Sequence, residues 1–449
     1  MVGSSWSGTI RPLAVRADRA LGSRADAHGG RRLTYAITLV VAGALLSYAR
    51  VPPATRNVLW AEDGREFYAD ALQPGGTDLS AAWAGYMHLV PRATSLFVAK
   101  VIPIDYAGLA MTISACIFLA LIAAYVFDAL RAHLPTVGIR GIVWLALVAA
   151  PVAGIEVNGS VANTHWYLLV GAFAAAVAPW SRPLDAILAT VVLGLAIMSD
   201  PLALYAAPLV IVRTLGASQR LHAVPVTGSL ASALLQLWVV SGTNIADPQR
   251  ADGLTALVRA TIYRTATVAV LGPAHATALY YRYAAVTLIL GSLALVASVG
   301  LAFVAGNRRA VTVSAAGAAI CLFAASAQFR WFPQLDPQVD AGWPGSRYSV
   351  APSVLVVIAA CLGVSACIAR SRLRVVGVVA AIAVASCVVL TVWSGARVSA
   401  RSSDSWADAV AVGREKCTSD VDLTEVGVPN QPSGWFVAVP CGVLTRQEP

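Results

Sequence analysis

Apolar residues run almost unbroken through long stretches of this chain, and polar residues collect in the intervals between them. The first run covers roughly 33–49. Later ones cover roughly 106–130, 140–155, 164–180, 184–199, 201–213, 222–241, 283–305, 310–328, 349–369 and 375–393. Barrel strands would alternate apolar and polar positions over about 10 residues. Most of these runs instead approach the ~20 continuous apolar residues with which a helix crosses a bilayer. They predict an all-α fold, a polytopic transmembrane helix bundle of about 11 spans. The runs at 184–199 and 201–213 are short and divided by Asp200-Pro201, which fits two tilted helices or a re-entrant pair.

Composition agrees with lipid as the solvent. The chain is 58% hydrophobic and 12% charged, where soluble domains carry about 25% charged residues. The net charge of +9 does not point to nucleic acid, because the arginines flank apolar runs and no groove-reading motif accompanies them. Arg11, Arg16, Arg19, Arg24, Arg31 and Arg32 precede the first run. With the N-terminus placed inside, Arg131, Arg140, Arg182, Arg213, Arg220, Arg308, Arg309, Arg370, Arg372 and Arg374 all fall in inside loops. The positive-inside rule therefore predicts an N-in, C-out protein of the plasma (inner) membrane, with its first helix an uncleaved anchor. Residues 1–32 read as a disordered Arg-rich cytoplasmic tail, 33–393 as the transmembrane domain and 394–449 as a small extracytoplasmic tail. The long connections 50–105, 242–282 and 329–348 then lie outside, where function is expected.

Cys116, Cys321, Cys361, Cys367 and Cys387 lie within apolar runs and read as small core residues. Cys417 and Cys441 both lie in the tail, in a compartment oxidising enough to keep a disulfide, and they are expected to pair.

An acidic cluster follows the first run directly: Glu62, Asp63, Glu66 and Asp70 in "WAEDGREFYADA", in a chain with 23 acidic residues in all. Trp60, Phe67, Tyr68, Ala71 and Leu72 share one helical face, so the stretch reads as an amphipathic helix in the membrane interface of the first outer loop. On the expected topology the same membrane face receives His88 and Arg92, then Asn163, His165 and Trp166, then Asp200, and finally Arg347 and Tyr348. Ionisable groups at that depth are costly and usually functional. No phosphate-binding glycine loop, zinc spacing or nucleophile elbow is present, so no motif implies a cofactor or assigns a metal. An acid, several cations and aromatic walls at a membrane face suit a lipid-linked phosphate donor. Its phosphate calls for arginine, and an acceptor hydroxyl calls for a general base.

This pattern resembles the C-type (GT-C) polytopic membrane glycosyltransferases, which take sugars from polyprenyl-phosphate donors. The resemblance rests on the topology of 33–393, on Glu62-Asp63 in "WAEDG" directly after the first helix, and on "RYSVAPS" at the start of a late helix. It implies transfer of a sugar to an envelope glycan, lipid or protein acceptor, with Asp63 as catalytic base and Glu62 assisting. Predicted sidedness adds Arg347, Arg92 and His88 for the donor phosphate, and Asn163, His165, Trp166, Tyr348 and Asp200 for the substrate pocket. Unlike larger members, the chain has no large soluble C-terminal domain. The rival readings are a transporter or flippase of lipid-linked sugars and a non-catalytic scaffold of envelope synthesis. Acids near span ends (Asp128, Asp185, Asp200), not buried mid-span, favour an enzyme over a proton-coupled carrier.

Overall fold

The computed structural model describes residues 29–216, 220–243, 253–306, 308–395, 405–420 and 422–445. Most of the segment read as a disordered cytoplasmic tail, up to residue 28, lies outside the described residues. The fold is an all-α bundle. Its principal helices are α1 (Gly29–Arg50), α2 (Leu89–Val101), α3 (Ala107–Ala129), α4 (Val137–Val148), α5 (His165–Val177), α6 (Pro183–Ile197), α7 (Ala207–Gly216), α8 (Ala223–Ser241), α9 (Leu254–Ile262), α10 (Val268–Ala305), α11 (Arg309–Phe329), α12 (Arg347–Ile368), α13 (Arg374–Ser394) and α14 (Trp406–Ser419). Eight helical stretches among the described residues are long and apolar enough to cross a membrane. The chain is thus a multi-pass membrane protein. Large apolar side chains such as Leu33, Val375 and Trp393 stay exposed on α1 and α13, as faces bathed in lipid require.

Two helices form the centre. In α12 every residue from Tyr348 to Ala359 is buried, and in α5 all thirteen are. At 1.5 Å per residue α5 measures about 20 Å, short of the ~30 Å hydrocarbon layer. A helix that begins part-way along its neighbours leaves space above its N-terminus, and that space matters below.

Polar contacts sort the helix ends into two groups. At one end Arg32 on α1 meets Asp128 on α3 (2.5 Å) and Asp185 on α6 (2.8 Å), while Arg131 reaches the same Asp185 at 2.6 Å. At the other end Ser47 donates to Asn158 (2.6 Å), and Arg50 donates to the carbonyls of Ala150 (3.0 Å) and Gly395 (3.3 Å). The second end carries the loop between α1 and α3 together with the C-terminal tail.

Two expectations about the connections are corrected. The acidic stretch folds as a π-helical turn, Asp63–Tyr68, followed by a single α-turn, Ala69–Leu72. Phe67, Tyr68 and Asp63 are all buried. The turn packs between α2 and the tail, so its apolar face meets protein and not lipid headgroups. The connection 242–282 is helical from Leu254 onward and runs into α10, with the helical geometry interrupted at Gly272 (φ 70°) before Pro273 and again at Tyr283.

The tail comprises α14, an antiparallel hairpin and a short turn of helix. Strands β1 (Ala82–Trp83) and β2 (Tyr86–Met87) form a minimal hairpin in the first loop, and β3 (Glu425–Asn430) and β4 (Trp435–Pro440) form the tail hairpin. Cys417 on α14 is disulfide-bonded to Cys441 across 24 residues, which on the chain-entropy account contributes about 3 kcal/mol. The tail docks on the first loop. Trp406 donates its indole N–H to the Ile104 carbonyl (2.6 Å) and its backbone N–H to the Asn57 carbonyl (2.9 Å), and Arg414 pairs with Asp105 (3.0 Å).

Candidate active site

The site begins with the backbone at Ala61. Its φ of 45° is left-handed, a conformation that costs a non-glycine residue about 1 kcal/mol or more. The tail holds it there. Trp60 and Gln431 form a bridge, the Ala61 N–H donates to the Gln431 carbonyl, and the Asn430 side-chain amide donates to the Ala61 carbonyl at 3.0 Å. Gly64 is needed for this approach, since a Cβ there would lie 2.5 Å from the Asn430 amide nitrogen.

The turn sends the two adjacent carboxylates to different places. Asp63 is 2% exposed and accepts from the Ala162 N–H (2.5 Å), the Val161 N–H (3.2 Å) and the Ser160 hydroxyl (3.3 Å). It is therefore an N-cap supplied from another part of the chain, satisfying backbone donors that lead into α5. Glu62 instead lines a cavity of about 500 Å³ at the tail-bearing end of the bundle. Geometry thus assigns Asp63 to the frame and Glu62 to the chamber, the reverse of the emphasis that the acidic motif suggests.

His88, Asn163, His165, Trp166, Asp200, Arg347 and Tyr348 also line the cavity. Arg92 does not. Its side chain is 3% exposed, paired with Asp70 at 2.8 Å and set over the Phe67 ring. It holds α2 against the acidic turn, and the donor phosphate expected of it has no access there. The lining also contains residues that sequence reasoning passed over: Trp83, Tyr86, Gln236 and Arg330. Arg330 caps the end of α11 and donates to the Ala84 carbonyl at 2.9 Å. Its sequence signal was a single arginine ending an apolar run. That of Gln236 was a single amide inside one.

Arg347 opens α12. Glu156 accepts from its backbone N–H (2.9 Å), from the Ser346 hydroxyl (3.1 Å) and from its guanidinium (3.4 Å), so one carboxylate caps the helix and steadies the cation. The two carboxylates of the preceding loop are engaged elsewhere, Asp336 by Arg259 and Asp340 by the Gly342 N–H. A third of the Arg347 side chain remains exposed, at the cavity.

The opposite wall accepts hydrogen bonds. His165 directs Nδ1 to the Ala162 carbonyl (2.8 Å), which makes Nδ1 the protonated nitrogen and leaves Nε2 facing Asp200 at 3.8 Å. Asp200 accepts from the Leu202 N–H with one oxygen (2.8 Å), and burial pushes its carboxyl pKa up to about 7. His88 directs Nδ1 to the Tyr86 carbonyl (3.1 Å) and sits among aromatic rings, stacked on Tyr86 at 4.2 Å and edge-on to Trp83 at 5.3 Å. Burial, then the neighbouring His165, hold its pKa well below the usual histidine value. Trp166 meets Tyr348 edge to face at 5.3 Å. Asn163 donates to Ser160 at 3.0 Å, beside the Asp63 cap. Among the described residues no group of three or more His, Cys, Asp or Glu side chains is placed to hold a metal ion.

The chamber therefore offers guanidinium groups to an anion, a carboxylate to a proton, neutral acceptors to hydroxyls and aromatic faces to a ring. No protein-family model, curated protein or solved structure matches this chain.

Proposed function

We propose that the chain is an integral membrane glycosyltransferase. It moves a sugar from a polyprenyl-phosphate donor to an envelope glycan, lipid or protein acceptor at the extracytoplasmic face of the plasma membrane. One observation carries the reading: a cavity of about 500 Å³ among membrane helices is lined by Glu62, Arg330, Arg347 and a set of aromatic rings. An anionic, lipid-tailed sugar is the substrate class that uses all of these at once.

The topology that goes with it has about 11 spans, N-in and C-out, counting the short helices α5, α6 and α7. The clustering of Arg32 and Arg131 at the end opposite the cavity supports this orientation.

In this reading Arg347 and Arg330 bind the donor phosphate. Glu62 takes the proton from the acceptor hydroxyl, whose oxygen forms a bond to the anomeric carbon. The bond from that carbon to the phosphate oxygen breaks, and its electron pair leaves with polyprenyl phosphate, whose charge the guanidinium groups stabilise. Asp63 acts through position alone, fixing the turn that presents Glu62.

The test is conversion of synthetic polyprenyl-phosphate glucose, mannose and arabinose by the purified full-length protein in vesicles containing envelope extract. The proposal predicts free polyprenyl phosphate and a glycosylated acceptor from at least one donor. Movement of intact donor across the bilayer without cleavage would instead establish a flippase.

A further inference from the structure

Besides the indole N–H of Trp166, two polar atoms of the cavity lining are buried and find no protein partner among the described residues: Nε2 of His88 and Nε2 of Gln236. Both side chains are more than nine-tenths buried, at 1% and 0% exposure, and both line the cavity. Their chemistry is fixed by what their other atoms do. His88 gives its Nδ1 proton to the Tyr86 carbonyl (3.1 Å), so Nε2 carries a lone pair. Gln236 accepts the Met87 N–H with Oε1 (3.3 Å), so Nε2 is its –NH₂, a donor. That same bond ties Gln236 to Met87, the residue before His88, joining α8 to β2. A buried amide in a spanning helix is costly, and a donor and acceptor that are both unpaired are costlier still.

A hydroxyl group answers both needs, because it donates and accepts. Trp83 and Tyr86 supply the aromatic surface on which a sugar ring packs, and the guanidinium groups supply the anion site. Resting on the glycosyltransferase reading, we infer that His88 and Gln236 read the hydroxyls of the transferred sugar, His88 accepting from and Gln236 donating to them. They are the specificity residues of the donor pocket. His88 is thereby moved from the phosphate, where a neutral acceptor would be repelled, to the sugar. Gln236 acquires a role that no sequence motif carried. The two residues make the enzyme selective for the hydroxyl pattern of the donor, independently of the acid–base work of Glu62.

The experiment uses the full-length protein in vesicles. The probes are whichever of polyprenyl-phosphate glucose, mannose or arabinose it converts, and that donor's monodeoxy analogues taken one position at a time. An unpaired buried donor or acceptor lowers kcat/KM on the order of tenfold to a hundredfold, and wild type should show that loss for at least one analogue. Gln236→Glu keeps the acceptor for Met87 and removes the donor. His88→Phe removes the acceptor, and His88→Gln restores one near the same place. Gln236→Glu and His88→Phe should each lower kcat/KM on the parent donor and narrow its advantage over that analogue, the remaining partner keeping part of it. His88→Gln should recover much of the discrimination. Because the readout is a ratio between two donors on one preparation, partial misfolding does not change it. Variants that reject every deoxy analogue as strongly as wild type overturn the inference while the glycosyltransferase reading stands. A wild-type protein that converts none of the donors overturns both.

Discussion

Replacing Asp63 by asparagine separates the frame of the site from its chemistry. The Asp63 carboxylate accepts from Ala162 N–H, Val161 N–H and the Ser160 hydroxyl, all three buried. Asparagine retains one acceptor oxygen and turns an –NH₂ toward backbone donors, so at least one buried N–H loses its partner, at a cost of about 1–3 kcal/mol. Loss of the negative charge at the start of a helix adds roughly 1 kcal/mol. The expected total is about 2–4 kcal/mol. In a chain of 449 residues that is a fall of about 2–4 °C in apparent unfolding temperature. Glu62→Gln should leave the midpoint near wild type, because Glu62 lines the cavity and caps nothing with its side chain. The assay is the fraction of purified protein that remains monodisperse after heating, measured for both variants beside turnover. A thermally wild-type Asp63→Asn that has lost all turnover would refute the reasoning, since it would show Asp63 acting on substrate and not on backbone.

Gly64→Ala should lower stability and turnover together, because the new Cβ meets the Asn430 amide at 2.5 Å and Val437 at 3.0 Å. Adding Asn430→Ala should restore part of both, read by the same heating assay. Replacing Cys417 and Cys441 with serine removes about 3 kcal/mol of restraint on the tail and, through Gln431 and Asn430, loosens Ala61. The expected result is faster proteolysis of the tail and turnover that fails at a lower temperature than in wild type. Burial raises the folded pKa of Asp200 from the ordinary aspartate value of 3.8 to about 7, so ionisation of this group costs stability progressively as pH rises between those values. Asp200→Asn removes that cost while keeping an acceptor for Leu202 N–H. Its stability relative to wild type should therefore be greater at pH 8 than at pH 5, and a difference independent of pH would show that Asp200 is already solvated.

The class of fold was legible because burial in lipid writes itself as run length and composition. The disulfide was legible because Cys417 and Cys441 both lie in the tail, clear of the apolar runs. Apolar spacing of seven and eight residues from Trp60 to Phe67 and Tyr68 marks a helical face, but periodicity cannot say whether lipid or protein covers it, and here α2 and the tail do. Nor can it choose between neighbours such as Glu62 and Asp63. That choice depends on a left-handed Ala61 held by residues some 370 positions away in the chain, as the Asn430–Ala61 separation of 369 shows. Arg92 carried the same charge as Arg347, and only packing shows that Asp70 and Phe67 enclose it. Gln236 was hidden by its surroundings, because hydropathy averages one amide away. The segment 242–282 reads as an outer connection between two apolar runs, although it is helical from Leu254 onward.

The most direct test of the central claim is the rate at which Glu62→Gln protein converts the accepted polyprenyl-phosphate sugar, compared with wild type at equal donor occupancy. If Glu62 removes the proton from the acceptor, the rate should fall by about 10²–10⁴-fold, with donor binding nearly unchanged. A Glu62→Gln enzyme that turns over at close to the wild-type rate would contradict the account.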